Sequence, residues 1–152
     1  MSKLYDHPHK NHIINTRCIW VEKTDHKVDG NISAYVKLSI IYLPNSTANF
    51  IVEAKEALLE RDTEAIGKMD PFVECKVGDV SSQTDVMDEA GKHPVWNQKL
   101  SYLLESIPNF IYITVKDKNL TSDDIVGSKR INPHEENWFV EHSEEVEREI
   151  EL

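Results

Sequence analysis

Few residues in this chain stand in a pattern that chemistry can use. Asp117-Lys118-Asn119 opens like the oxygen-rich loop of an EF-hand. However, Ser122 holds the place where that loop needs glycine for its sharp turn, and Ser128 the place of the closing glutamate. His7, His9 and His12 are close enough to share a metal, but no cysteine or orienting partner stands near them, and they read as a polar arm. Cys18 and Cys75 are too far apart in sequence for a CxxC pair. Cys75 falls on the inward side of an alternating stretch and reads as inert core. The chain has no GxSxG elbow, phosphate loop, GxGxxG turn or HExxH pair. Scattered serine, histidine and aspartate do not make a triad without geometry. The reading is therefore of no enzyme and no small-molecule substrate.

The 152 residues suit one domain with a short arm. The net charge of −10 argues against a nucleic-acid partner, which needs a basic field, and against purely electrostatic binding to anionic lipid. No apolar run approaches the ~18 residues of a membrane span. The N-terminus lacks the continuous apolar core of a secretory signal. With two lone cysteines, this points to an intracellular protein, soluble or peripheral to a membrane. The cytoplasm is the first expectation. An organelle such as the mitochondrion is the alternative, because the chain is poor in acid before Glu22.

Period-two alternation runs through most of the chain. Ala34, Val36, Leu38, Ile40 and Tyr42 face one way against Lys37 and Ser39, and Phe50, Val52 and Ala54 oppose Glu53 and Lys55. Val73, Cys75 and Val77 form a third inward set, Trp96, Leu100, Tyr102 and Leu104 a fourth, and Ile111, Ile113 and Val115 a fifth. Alternation with one wet face marks antiparallel sheets packed as a sandwich. Strands are expected near 34–42, 50–55, 71–77, 82–88, 96–104, 110–116, 125–131 and 146–152. Trp96 is expected in the core with Val73, Ile113 and Val115. Ala54–Ala65 is rich in helix formers, but tertiary context is expected to override most of it, leaving at most one helical turn. Residues 146–152 fit a strand or a helix. Residues 1–32 read as an arm, in which Arg17–Lys23 is β-prone and Asp29-Gly30 marks a turn.

Three pieces, in order, carry a resemblance. They are Asp62-Thr-Glu-Ala-Ile-Gly67-Lys-Met-Asp70-Pro71-Phe72-Val73, then His93-Pro94-Val95-Trp96-Asn97-Gln98, then Val115-Lys-Asp117-Lys-Asn119-Leu-Thr-Ser-Asp123-Asp124-Ile-Val-Gly127. Together they resemble the C2 domain, a calcium- and phospholipid-binding module, over about residues 33–152. The resemblance implies an all-β fold, an eight-stranded antiparallel β-sandwich of Greek-key type, with the first and third pieces on neighbouring loops at one end.

It also implies a calcium site there. Calcium takes about six to eight oxygens, several from carboxylates. The implied donors are Asp62 and Asp70 from the first loop, and Asp117, Asn119, Asp123 and Asp124 from the third. Asn119 stands where the family has a second bridging aspartate, the first loop is longer than the pattern and the third shorter. The expectation is one weakly held Ca²⁺ or none. Ile66 and Leu120 stand where the family presents apolar tips to a membrane or partner. The family's lysine-rich strand is reduced to Lys76 among Asp79, Asp85 and Asp88. The functional expectation is a non-catalytic docking module for phospholipid membrane, protein partners or both, with weak or lost calcium dependence. The alternative is a structural accessory subunit of a larger, membrane-bound assembly. A calcium-dependent phospholipid sensor ranks third.

Overall fold

The computed structural model describes residues 13–22, 32–42, 50–106 and 108–135. Eight strands appear in chain order: β1 (Ile13–Glu22), β2 (Ile32–Tyr42), β3 (Phe50–Leu59), β4 (Pro71–Val77), β5 (Val80–Gln83), β6 (Val95–Tyr102), β7 (Ile111–Asp117) and β8 (Asp124–Ile131). All pairings are antiparallel, in the order β5-β4-β7-β8-β1-β2-β3-β6. β8 and β1 meet only at Glu22 and Ser128. The ladder therefore divides into two four-stranded layers, β6-β3-β2-β1 and β5-β4-β7-β8. The β3–β4, β5–β6 and β6–β7 connections cross between layers, which gives the sandwich.

The inward residues are those the alternation marks. Val36, Phe50, Val52, Val73, Ile113 and Val115 are fully enclosed, and Trp96 is 6% exposed. Two polar tips are satisfied across the core, as buried donors require. The Trp96 indole donates to the Pro71 carbonyl at 3.2 Å, and the Tyr102 hydroxyl to the Cys75 carbonyl at 2.9 Å. Burial pushes the Cys75 thiol up to about 12, in keeping with an inert core cysteine.

Three expectations about elements change. The strand placed at 50–55 runs on to Leu59, and no helical turn follows it before β4. Lys55 is skipped in the ladders to both neighbours, a β-bulge that resets the phase. Ala57 and Leu59 thereby turn inward after Phe50, Val52 and Ala54, and core burial outweighs helix propensity. The strand placed at 82–88 is the shorter β5, starting at Val80. A two-residue turn led by Gly78, at φ 60°, closes the hairpin early. Thr84 then leaves the ladder, although its hydroxyl still accepts the Val73 N–H at 3.0 Å. Ile13–Glu22, placed in the arm, pair with β2 along their whole length. The element placed at 146–152 lies outside the described residues.

Trp96 fills the core and tethers the start of β4. Trp96→Ala is expected to cost about 3–5 kcal/mol of unfolding free energy, measured by urea denaturation. A loss below about 1 kcal/mol would mean that the indole is not a core element.

Candidate functional site

Three loops meet at one end of the sandwich: residues 60–70 between β3 and β4, 84–94 between β5 and β6, and 118–123 between β7 and β8. Asp117 closes β7 and lies in register with Pro71 and Asp124, so the strand ends themselves bring the first and third loops together. Met69 is fully enclosed and pins the base of the first loop, while Gly91 donates its N–H to the Met69 carbonyl at 2.9 Å. The Lys92 carbonyl accepts the Leu59 N–H at 2.9 Å, which brings the second loop alongside.

Asp117 has no exposed surface. A carboxyl group so placed must be hydrogen-bonded by the protein. Its Oδ2 accepts the Thr63 hydroxyl at 2.6 Å and its Oδ1 the Asp70 N–H at 2.7 Å. Asp70 in turn takes the Glu89 N–H on Oδ1 at 2.6 Å, and its carbonyl takes the Lys118 N–H at 3.1 Å. Arg61 Nη1 donates to the Ile125 carbonyl at 2.7 Å, tying the first loop to the start of β8. One network therefore joins all three loops.

The remaining acids divide into two groups. Lys118 Nζ lies 3.0 Å from Asp123 Oδ1, and this bond, helped by the Asn119 N–H, holds the Asp123 carboxyl below its ordinary 3.8. The Asn119 amide donates to Asp124 Oδ2 at 3.0 Å, and the Glu64 N–H to Asp62 Oδ1 at 3.1 Å. Glu64 carries the opposite shift. Partial dehydration raises it above its ordinary 4.5, and the charges of Asp117, Asp70, Asp124 and Asp62, in that order, raise it further. The charges of four residues named from sequence thus act on a fifth carboxyl that the sequence reading missed. A signal was present, because Glu64 stands six positions before Asp70 where Asp62 stands eight. Thr63 and Arg61 were missed as well, and neither residue type marks such a role. Ile66 and Leu120 stand at the tips of the first and third loops, 92% and 107% exposed.

The donors also test the calcium that the resemblance implies. Asp117 has both oxygens bonded to the chain's own donors, Asp123 is closed on Lys118, and Asp124 holds the Asn119 amide. Among the described residues, no three carboxylate, imidazole or thiolate groups converge to hold a metal. So arranged, the acids do not converge as a calcium cage, and the bonds described above join the loops.

Comparison with known proteins accords with the fold and the motifs. The family model described as the C2 domain matches residues 48–152. Multiple C2 domain and transmembrane region protein 7 of Arabidopsis thaliana is 34% identical over 83 residues, which is 54% of this chain and 8% of that protein. FT-interacting protein 3 of the same plant is 33% identical over 78 residues, 51% of this chain and 10% of that protein. The chain thus spans a tenth or less of the length of these relatives. A C2 domain of RIM from Drosophila superposes with a TM-score of 0.57 at 17% identity, covering 67% of this chain and 87% of that one, and shows the fold alone. The family is generally non-catalytic, and calcium and phospholipid are common ligands within it. No helix among the described residues is long and apolar enough to cross a membrane.

The raised Glu64 gives a pH signature. At neutral pH the group is ionised in folded and unfolded chain alike, and only the folded chain carries the repulsion. As pH falls through the raised folded value toward 4.5, the folded chain takes up the proton first and gains stability relative to neutral pH. Glu64→Gln is therefore expected to melt above wild type at pH 7, with the gap closing as pH falls toward the unfolded value. A gap that is constant with pH in thermal melts would remove Glu64 from the acid cluster.

Proposed function

The chain belongs to the C2 domain family, and on that premise we propose that it is a non-catalytic docking module, peripheral to a membrane, that engages its target through the three-loop end. Its calcium dependence is weak or lost. The observation that carries this reading is the self-contained loop network around Asp117, which leaves Ile66 and Leu120 facing solvent. The lack of any motif for nucleophilic, metal or nucleotide chemistry supports the non-catalytic part. Relatives whose names join several C2 domains to a transmembrane region support work close to a membrane. Burying each tip contributes about 1.5–3 kcal/mol, which suits reversible attachment.

A second reading, an accessory subunit clamped into a larger assembly, draws on a different surface. On the outer face of the β6-β3-β2-β1 layer, Tyr35 and Leu58 are cross-strand neighbours, 37% and 40% exposed, and Val95 is 47% exposed. That apolar strip suits a protein partner better than a lipid.

Co-sedimentation with vesicles, with and without calcium, tests the first reading. Attachment that survives a calcium chelator is expected, and binding of two calcium ions at micromolar concentration with vesicle attachment only in their presence would contradict it. Asn119→Asp is informative beside it. The change removes the amide bond to Asp124 and adds a like charge, at an expected cost of about 1 kcal/mol in calcium-free buffer. Added calcium should recover that loss. A variant that melts like wild type with and without calcium would show that position 119 does not govern ion affinity.

A further inference from the structure

We propose that the outer face of the β6-β3-β2-β1 layer is where two copies of this chain meet, as a reversible two-fold dimer. This rests on the accessory-subunit reading above and names its partner as a second copy. The apolar strip on that face runs across the strands. Tyr35 and Leu58 stand opposite each other on β2 and β3, and Val95 stands on β6 opposite Glu56. β1 sets Trp20 in register with Tyr35. Each of Tyr35, Leu58 and Val95 is more than a third exposed. Aromatic and aliphatic side chains together are what the centre of a protein interface uses.

Charge decides which surface can meet its own copy. A two-fold contact sets a patch against itself, so a patch of one sign repels. The loop end fails this test: residues 60–70, 84–94 and 117–124 hold ten acidic and four basic side chains, a net of −6. The opposite layer fails it with the other sign. Apart from the buried Asp117 and Asp124 at the loop end, its strands carry Lys76, Lys116, Lys129 and Arg130 against Glu74, a net of +3. β2, β3 and β6 carry Lys37, Lys55 and Lys99 against Glu53 and Glu56, a net of +1. Their signs also interleave. Lys37 Nζ lies 3.8 Å from Glu56 Oε1, and Glu53 is in register with Lys99. Lysines of one copy can therefore meet glutamates of the other around the strip.

The size of the face sets the strength. Four strands about 4.8 Å apart and roughly 30 Å long offer about 500 Å² of flat face per copy. The pair then covers about 1,000 Å², the low end for a specific interface. Such a contact suits a dimer that forms and parts at roughly tens of micromolar.

Sedimentation equilibrium of the full chain over a range of concentrations tests this. The expected result is a reversible shift from monomer toward dimer mass. Each copy carries a net charge of −10, so the whole chains repel while the contact itself is nearly neutral. Raising salt from about 10 to about 150 mM shortens the reach of that repulsion and should strengthen the dimer. Leu58→Lys should weaken it about tenfold or more. Tyr112→Lys, at an equally exposed site on β7 in the opposite layer, should leave it unchanged. Carbodiimide linking of a mixture of isotopically light and heavy wild type reads the same contact without any variant. Links between light and heavy copies are expected to join Lys37, Lys55 or Lys99 to Glu53 or Glu56, and links confined to other residues would overturn the proposal. Association that weakens with salt would also overturn it, since surfaces of opposite sign would then be in contact. A monomer at every concentration up to about 0.5 mM would overturn this inference and leave the accessory-subunit reading with an unlike partner. A dimer kept by Leu58→Lys and lost in Tyr112→Lys would remove the strip from both.

Discussion

A carboxyl group with no exposed surface must be satisfied by its own protein, and Asp117 is satisfied by the loop it has to organise. It closes β7, where the Cα register with Pro71 and Asp124 leaves it little freedom. The Thr63 hydroxyl and the Asp70 N–H must then come to it. Leaving either oxygen without a donor would cost about 1–3 kcal/mol or more, which favours the closed arrangement. The course of the first loop and the place of Asp70 follow from that one requirement.

The sandwich carries this constraint outward. Trp96, on β6, donates to the Pro71 carbonyl, so the residue next to Asp70 is held from the opposite layer. Met69, fully buried, holds the other side. Asp70 thus sits between two core anchors, and its own oxygens are left to reach Glu89 and Lys118. What stands beyond the network is acidic, and partial dehydration together with the charges around it raises the Glu64 carboxyl. A loop end of this kind is stiff in its backbone, negative in its charge and apolar at its two tips.

Much of the architecture was legible from sequence because burial on one face writes itself as period-two alternation. β2, β4 and β7 lie close to where that alternation places them, and Trp96, Val73, Ile113 and Val115 are core residues. Where the period breaks, legibility ends. Lys55 sits in a bulge that shifts the phase within Ala54–Leu59, so a strand there resembles a helix in composition. The shared end of the acidic loops was legible through the resemblance. The internal bonding of those acids was not, because it depends on Thr63, Arg61 and the Asp70 N–H, groups whose roles only three-dimensional proximity reveals. Glu64 was hidden by its type, since the expected pattern has aspartate and the loop also offers Asp62.

The central claim is that these loops are closed by the chain's own hydrogen bonds rather than by an ion. Amide hydrogen exchange resolved at Asp70, Glu89 and Lys118 measures that closure directly. Each of these amides donates to an acceptor at 3.1 Å or less. The account predicts all three protected in calcium-free buffer, with protection unchanged when millimolar calcium is added. Fast exchange at these amides in chelator, slowed only by calcium, would contradict it.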